Sequence, residues 1–128
     1  TGYGLGLNYS SGAFSVGGAL QQFRERDGAG IKHTRTEYGL AASYDFGPAK
    51  LFSHYMASKH SIPGGAFSKW EHANIGMSVP VSDSLTLMAE YGRNRVKARV
   101  YDDTPPNAYL GQIKGHTNYI QFGIRHTF

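Results

Sequence analysis

The chain has 128 residues, no Cys, 17 Gly, 9 Tyr, 7 Phe and 1 Trp, with 13 Lys and Arg against 9 Asp and Glu. The length suits one domain, and the absence of Cys excludes a disulfide scaffold, a Cys-zinc site and a thiol nucleophile. No apolar run is long enough for a transmembrane helix, helix formers are scarce, and 13% aromatic residues is too many for a disordered chain.

Period two prevails over period 3.6 from end to end. Thr1 opens straight into strand-like sequence, so any targeting segment has been removed or lies upstream. Tyr3, Leu5, Leu7 and Tyr9 alternate with Gly4, Gly6 and Asn8, and Ser10-Ser11-Gly12 turns the chain. Phe14, Val16, Gly18 and Leu20 form the second alternation; a polar stretch from Arg24 to Glu37 precedes Tyr38, Leu40, Ala42, Tyr44 and Phe46. After Gly47-Pro48 come Leu51, Ser53, Tyr55 and Ala57, with Phe52 and Met56 on the opposite, otherwise polar face. A connection from Ser58 to Trp70 leads to Ala73, Ile75, Met77, Val79 and Val81. Ser82-Asp83-Ser84 then turns into Leu85, Leu87, Ala89 and Tyr91, and Arg93 to Thr117 reads as the longest connection. Ile120, Phe122, Ile124, His126 and Phe128 close the chain. The expected strands lie near 1–9, 13–23, 37–46, 49–58, 71–81, 85–95 and 116–128, with no helix.

Three regularities separate this pattern from a soluble sandwich. Short connections alternate strictly with long ones, as in transmembrane barrels with tight periplasmic turns and longer extracellular loops. The apolar faces carry no Asp, Glu, Lys or Arg. With the short turns taken as periplasmic, Tyr9, Phe14, Tyr44, Phe46 and Phe128 fall near one end, and Tyr3, Tyr38, Tyr55 and Tyr91 near the other. Two aromatic bands around an aliphatic belt suit a wall whose rings sit at head-group level. Lipid-facing and lumen-facing residues average out along each strand, which explains a mean hydropathy of only -0.41.

Seven strands do not close, because bacterial single-chain barrels have an even number and an open edge has no partners in hydrocarbon. The chain is therefore expected to be one portion of a larger all-β, antiparallel transmembrane barrel, or to be completed by other chains. The alternative is an eighth strand within 93–117. Arg95–Tyr101 and Tyr109–Lys114 read better as an extension of the last hairpin, standing above the membrane.

The last strand, Tyr119 to Phe128, resembles the end of Gram-negative outer-membrane proteins, with a terminal Phe and apolar residues at alternate positions upstream. Its Gly-Ile-Arg-His-Thr-Phe ending, with Gly47-Pro48-Ala49-Lys50-Leu51 and the Ser82-Asp83-Ser84 turn, resembles the general porins of β-proteobacteria. The resemblance covers residues 1–128 as roughly the last seven of sixteen strands. It implies a channel in the outer membrane, a homotrimer, and Phe128 as a signal for the barrel-assembly machinery. The family's constriction loop has no counterpart in this stretch.

A channel needs no cofactor or metal, and no enzyme is expected. The lumen-facing candidates are Lys50, His54, Glu90, Tyr119, Gln121 and Arg125, with Asp45 beside them. A net charge of +4 suggests a preference for small anionic solutes. Arg93, Arg95, Lys97 and Arg99 share one strand face and suit anion capture at the pore mouth or contact with lipopolysaccharide phosphates; no aromatic motif accompanies them that would favour nucleic acid. The six His show no His-x-His spacing, and Asp102-Asp103 is too small a carboxylate set for Ca²⁺. The competing functions are a small non-porous barrel acting as adhesin or anchor through its loops, and an outer-membrane enzyme.

Overall fold

A computed structural model of the chain describes residues 1–26, 28, 30–62, 66–101 and 109–127. Seven strands follow one another: β1 (Gly2–Ser11), β2 (Phe14–Arg26), β3 (Lys32–Asp45), β4 (Lys50–Ser61), β5 (Phe67–Pro80), β6 (Leu85–Tyr101) and β7 (Tyr109–His126). They make one antiparallel sheet in chain order, with no helix among the described residues. β1 and β7 are its edges and do not pair with each other.

The tight turns have local causes. Gly12 takes φ +56° and Gly47 φ +90°, a region that side chains with a Cβ enter at a cost. The Gly47 N–H donates to Asp45 Oδ1 at 2.8 Å, so the carboxylate that ends β3 also fixes the bend into β4.

At the opposite end the strands run further than their hydrophobic pattern. β3 begins at Lys32 rather than near 37, β5 at Phe67 rather than near 71, and the β6–β7 hairpin continues to Tyr101 and Tyr109. The connections expected to be long are therefore mostly hydrogen-bonded ladder. Beyond the apolar belt the outer face turns polar and charged, so the backbone keeps pairing while the outward apolar alternation that reveals it disappears. The segments Arg95–Tyr101 and Tyr109–Lys114 extend the last hairpin, with a register shift at Val100/Tyr101, and no eighth strand occurs among the described residues.

The sheet has no apolar core. Among the described residues the single buried hydrophobic side chain is Ala57, whereas Leu7 is 73% exposed and Phe122 79%. Paired residues share a face, and Leu7, Gly18, Leu40, Tyr55 and Ala73 form one continuous rung on the outer side. A soluble protein rarely leaves so large an apolar face uncovered. Hydrocarbon satisfies it, since the ladder already pairs the backbone groups between its two edges.

The aromatic band crosses the rungs obliquely. The rung that starts at Tyr3 passes through Gln22, Thr36, Lys59 and Lys69 and reaches β6 at Lys97, six residues beyond Tyr91. Tyr3, Tyr38, Tyr55 and Tyr91 thus step down the sheet, strand by strand. Six residues are about 20 Å along a strand and five strand spacings about 24 Å across, a lean of about 40°. Membrane barrels tilt their strands by about that angle. The tyrosines mark the level at which this wall leaves the lipid.

Candidate functional site

The inner face is built from the residues alternate to the belt. It is small on β1–β3, where Gly4, Gly6, Gly17, Ala19, Gly39 and Ala41 face inward, and larger from β4 onward. An open trough of about 970 Å³ runs over this face and touches residues from Asn8 on β1 to Arg125 on β7. Lining residues on strands so far apart in order make the inner face concave.

Three glycines are covered by rings. A Cβ on Gly2 would collide with Phe23, one on Gly76 with Phe52, and one on Gly92 with Tyr119. Phe52, which broke the alternation of β4, faces inward because Gly76 leaves it a seat against the sheet; Met56 lies beside Gly39 in the same way, 3.6 Å from where a Cβ would stand. Such aromatic covers protect the backbone of a bare strand position.

All six lumen-facing candidates lie on the inner face. His54, Glu90 and Tyr119 come together around Asn74, the one buried polar residue among those described. Asn74 Nδ2 donates to Glu90 Oε2 at 3.0 Å, and Asn74 Oδ1 accepts from the backbone N–H of His54 at 3.0 Å. Tyr119 Oη reaches over Gly92 and donates to Glu90 Oε1 at 3.1 Å. Both Glu90 oxygens thus accept from uncharged donors, and Gln121 is its register partner on β7. Lys50 stands opposite Asp45, near the short turns, and Arg125 lines the trough with it.

Sequence spacing missed His72, Asn94 and Trp70. His72 Nδ1 is 2.8 Å from Asn94 Oδ1, and its ring stacks between Trp70 (centroids 5.7 Å) and Tyr119 (5.9 Å). His54 also lies beside it at 4.8 Å, and His33 pairs with His60, Nδ1 to Nε2 at 3.2 Å. Four of the six His therefore meet across strands, a pairing that spacing along one strand cannot reveal. No group of three or more metal-ligating side chains occurs among the described residues. Phe128, expected as the assembly signal, and Asp102-Asp103 lie outside the described residues.

Replacing Asn74 by Leu removes a donor from Glu90 and the acceptor of the His54 N–H. The expected loss is about 1–3 kcal/mol of folding free energy, read from urea titrations of the protein folded in vesicles. An unchanged midpoint would show that the network carries no stability.

Charge is divided sharply between the faces. Register places Arg35, Lys50 and Arg125 inward and the other ten of the 13 Lys and Arg outward. Glu25, Glu37, Asp45 and Glu90 also face inward, and Glu71 outward. Among the described residues the inner wall is thus three cations against four carboxylates. Arg93, Arg95, Lys97 and Arg99 all stand on the outer side, in line with Tyr91.

A family model for Gram-negative porins matches residues 1–128. The chain belongs to the Gram-negative porin family. No curated protein and no solved structure matches it. As a porin it is a channel protein of the Gram-negative outer membrane, and its strands are transmembrane strands. The uncovered apolar face of the porin is then its lipid side.

Proposed function

We propose that this porin wall belongs to a wide, water-filled barrel through which small hydrophilic solutes diffuse. The observation that carries this is the size of the inward side chains on three adjacent strands. Gly4, Gly6 and Asn8 on β1, Gly17 and Ala19 on β2, and Gly39, Ala41 and Ser43 on β3 leave the inner surface nearly bare. A barrel of about eight strands has an interior that side chains fill. Glycine, alanine and serine cannot fill it, so a small non-porous adhesin or anchor fits these residues poorly.

The two unpaired edges support the same reading. An open ladder cannot stand in hydrocarbon, so further strands complete the ring. Within this proposal the chain is the C-terminal part of a sixteen-stranded, trimeric porin of the β-proteobacterial type, a reading supported by the Gly-Ile-Arg-His-Thr-Phe ending. Net charge gives no ground for anion preference, because the cationic excess faces away from the water path. The inner wall, three cations against four carboxylates, suits weak selectivity.

Planar-bilayer recording of the full-length protein tests both parts. Ohmic conductance with a small reversal potential across a salt gradient is expected. Absence of conductance would overturn the pore, and a strongly one-sided reversal potential would overturn the near-balanced wall.

A further inference from the structure

The inner face between β2 and β5 holds a second, smaller hollow of about 230 Å³ beside the trough. Its floor is apolar and nearly bare: Ala19 pairs in register with Gly39, and Gly39 with Met56. One rung further from the tight turns, Gln21, Glu37, Ser58 and Trp70 stand side by side across the four strands. All four border the hollow. It thus combines a polar row, an apolar floor and an indole at one end.

The indole is held in place before anything binds. Trp70 stacks on His72 with 7° between the ring planes, and His72 on Tyr119 with 12°. His72 Nδ1 lies 2.8 Å from Asn94 Oδ1, and its Nε2 lies 3.4 Å from Tyr119 Oη. Tyr119 is anchored in turn on Glu90. A ring ordered by such a chain loses little freedom when a solute settles against it.

The charge of the hollow narrows the ligand. Among the described residues that border it, Glu37 carries the one formal charge. Gln21 Nε2 donates to Glu37 Oε2, and the Arg35 guanidinium holds Oε1. The carboxylate is thereby balanced, so neither an anion nor a cation gains a counter-charge here. An uncharged solute with one apolar face and a rim of hydroxyl groups matches what is left. The C–H face of a pyranose ring suits the negative face of an aromatic ring. Its hydroxyls project around the ring, where amide, carboxylate and hydroxyl side chains donate and accept. The volume is below that of a drug-sized site and on the scale of a single ring.

We infer that this hollow is a sugar subsite on the channel wall: a neutral pyranose stacks on Trp70 and hydrogen-bonds along Gln21, Glu37 and Ser58. Binding is weak, because a site in a channel must release what it admits. The subsite presupposes the water-filled channel proposed above and names a class of solute for which the wall has built contacts.

The test is ion current through the full-length porin in planar bilayers, with glucose and its linear oligomers added to one side. Block is read as a fraction of the same channel's sugar-free current, so it does not depend on the absolute conductance of a variant. Reversible block with a half-blocking concentration in the millimolar range is expected. Trp70→Ala and Trp70→Leu are expected to raise that concentration about three- to tenfold, and Trp70→Phe by about twofold or less. Leucine keeps the position filled, so the contrast between Leu and Phe carries the test even where the Ala variant fails to insert. Polyethylene glycol of matched size is expected to lower the current by exclusion alone, equally in all these proteins. Equal sugar block in the wild type and Trp70→Leu would overturn the inference, as would a polyethylene glycol block with the same dependence on Trp70. Benzylammonium or benzoate blocking at lower concentration than sugar, and only with Trp70 present, would assign the hollow to charged ring solutes and overturn it too. A conducting wild type that no sugar blocks rejects the subsite and leaves the channel standing. A wild type without conductance rejects the channel, and the subsite with it.

Discussion

An arginine placed at Ala42 is expected to lower folding free energy by about 2–4 kcal/mol, whereas an arginine one residue earlier, at Ala41, has little effect. Ala42 lies on the outer rung with Val16 and Ser53, in the stretch between Tyr38 and Tyr44. A guanidinium there must stay in hydrocarbon, thin the bilayer or drag water inward. Ala41 faces the opposite way, between Gly17 and His54, onto the open trough. Its replacement remains hydrated and meets no bulky neighbour on β2. Urea titration of each variant folded into vesicles measures the difference. Equal destabilisation at the two positions would mean that the faces are assigned wrongly, and with them the whole wall.

The second large effect concerns selectivity. Lys50→Glu combined with Arg125→Glu is expected to shift the reversal potential several-fold toward cations, since it removes two of the three inward cations and adds two carboxylates. Lys69→Glu combined with Lys97→Glu changes the net charge by the same amount on the other face. That pair is expected to leave the reversal potential near its original value, because the charges are separated from the water path by the wall and screened by salt. Recordings of both variants across one salt gradient make the comparison. A shift of equal size from the outer pair would place those lysines at the pore mouth.

The strands were legible because lipid and water impose the sharpest possible contrast on alternate residues. Tyr3, Leu5, Leu7 and Tyr9 against Gly4, Gly6 and Asn8 leave a single face assignment. Where the contrast ends, so did the legibility: Lys32 to Thr36 is strand with two polar faces, and in Arg95 to Tyr101 the pattern inverts, with Arg95, Lys97 and Arg99 on the outer face and Val96 and Ala98 on the inner. Candidate lumen residues followed directly from parity. Their partners did not, because which residue stands opposite depends on the length and twist of every turn between. Lys59, Lys69, Lys97 and Lys114 are spread over 56 positions of the chain and become neighbours through register alone. The same holds for His54 and His72, and for Tyr119, which reaches Glu90 because Gly92 leaves the space. Net charge is a blunt guide to the lumen for a related reason. It is a sum over both faces, and in this wall the faces carry opposite balances.

The oblique course of the tyrosines also bears on size. A strand leaning at about 40° takes up about 6.3 Å of a barrel's circumference instead of 4.8 Å, so seven span an arc of about 44 Å. The lean is a stagger of about 1.2 residues per strand, and it must be shared by every strand that joins the ring for the ladder to close on itself. The four tyrosines that set the height of this wall in the lipid thereby set how wide an opening a given number of such strands encloses.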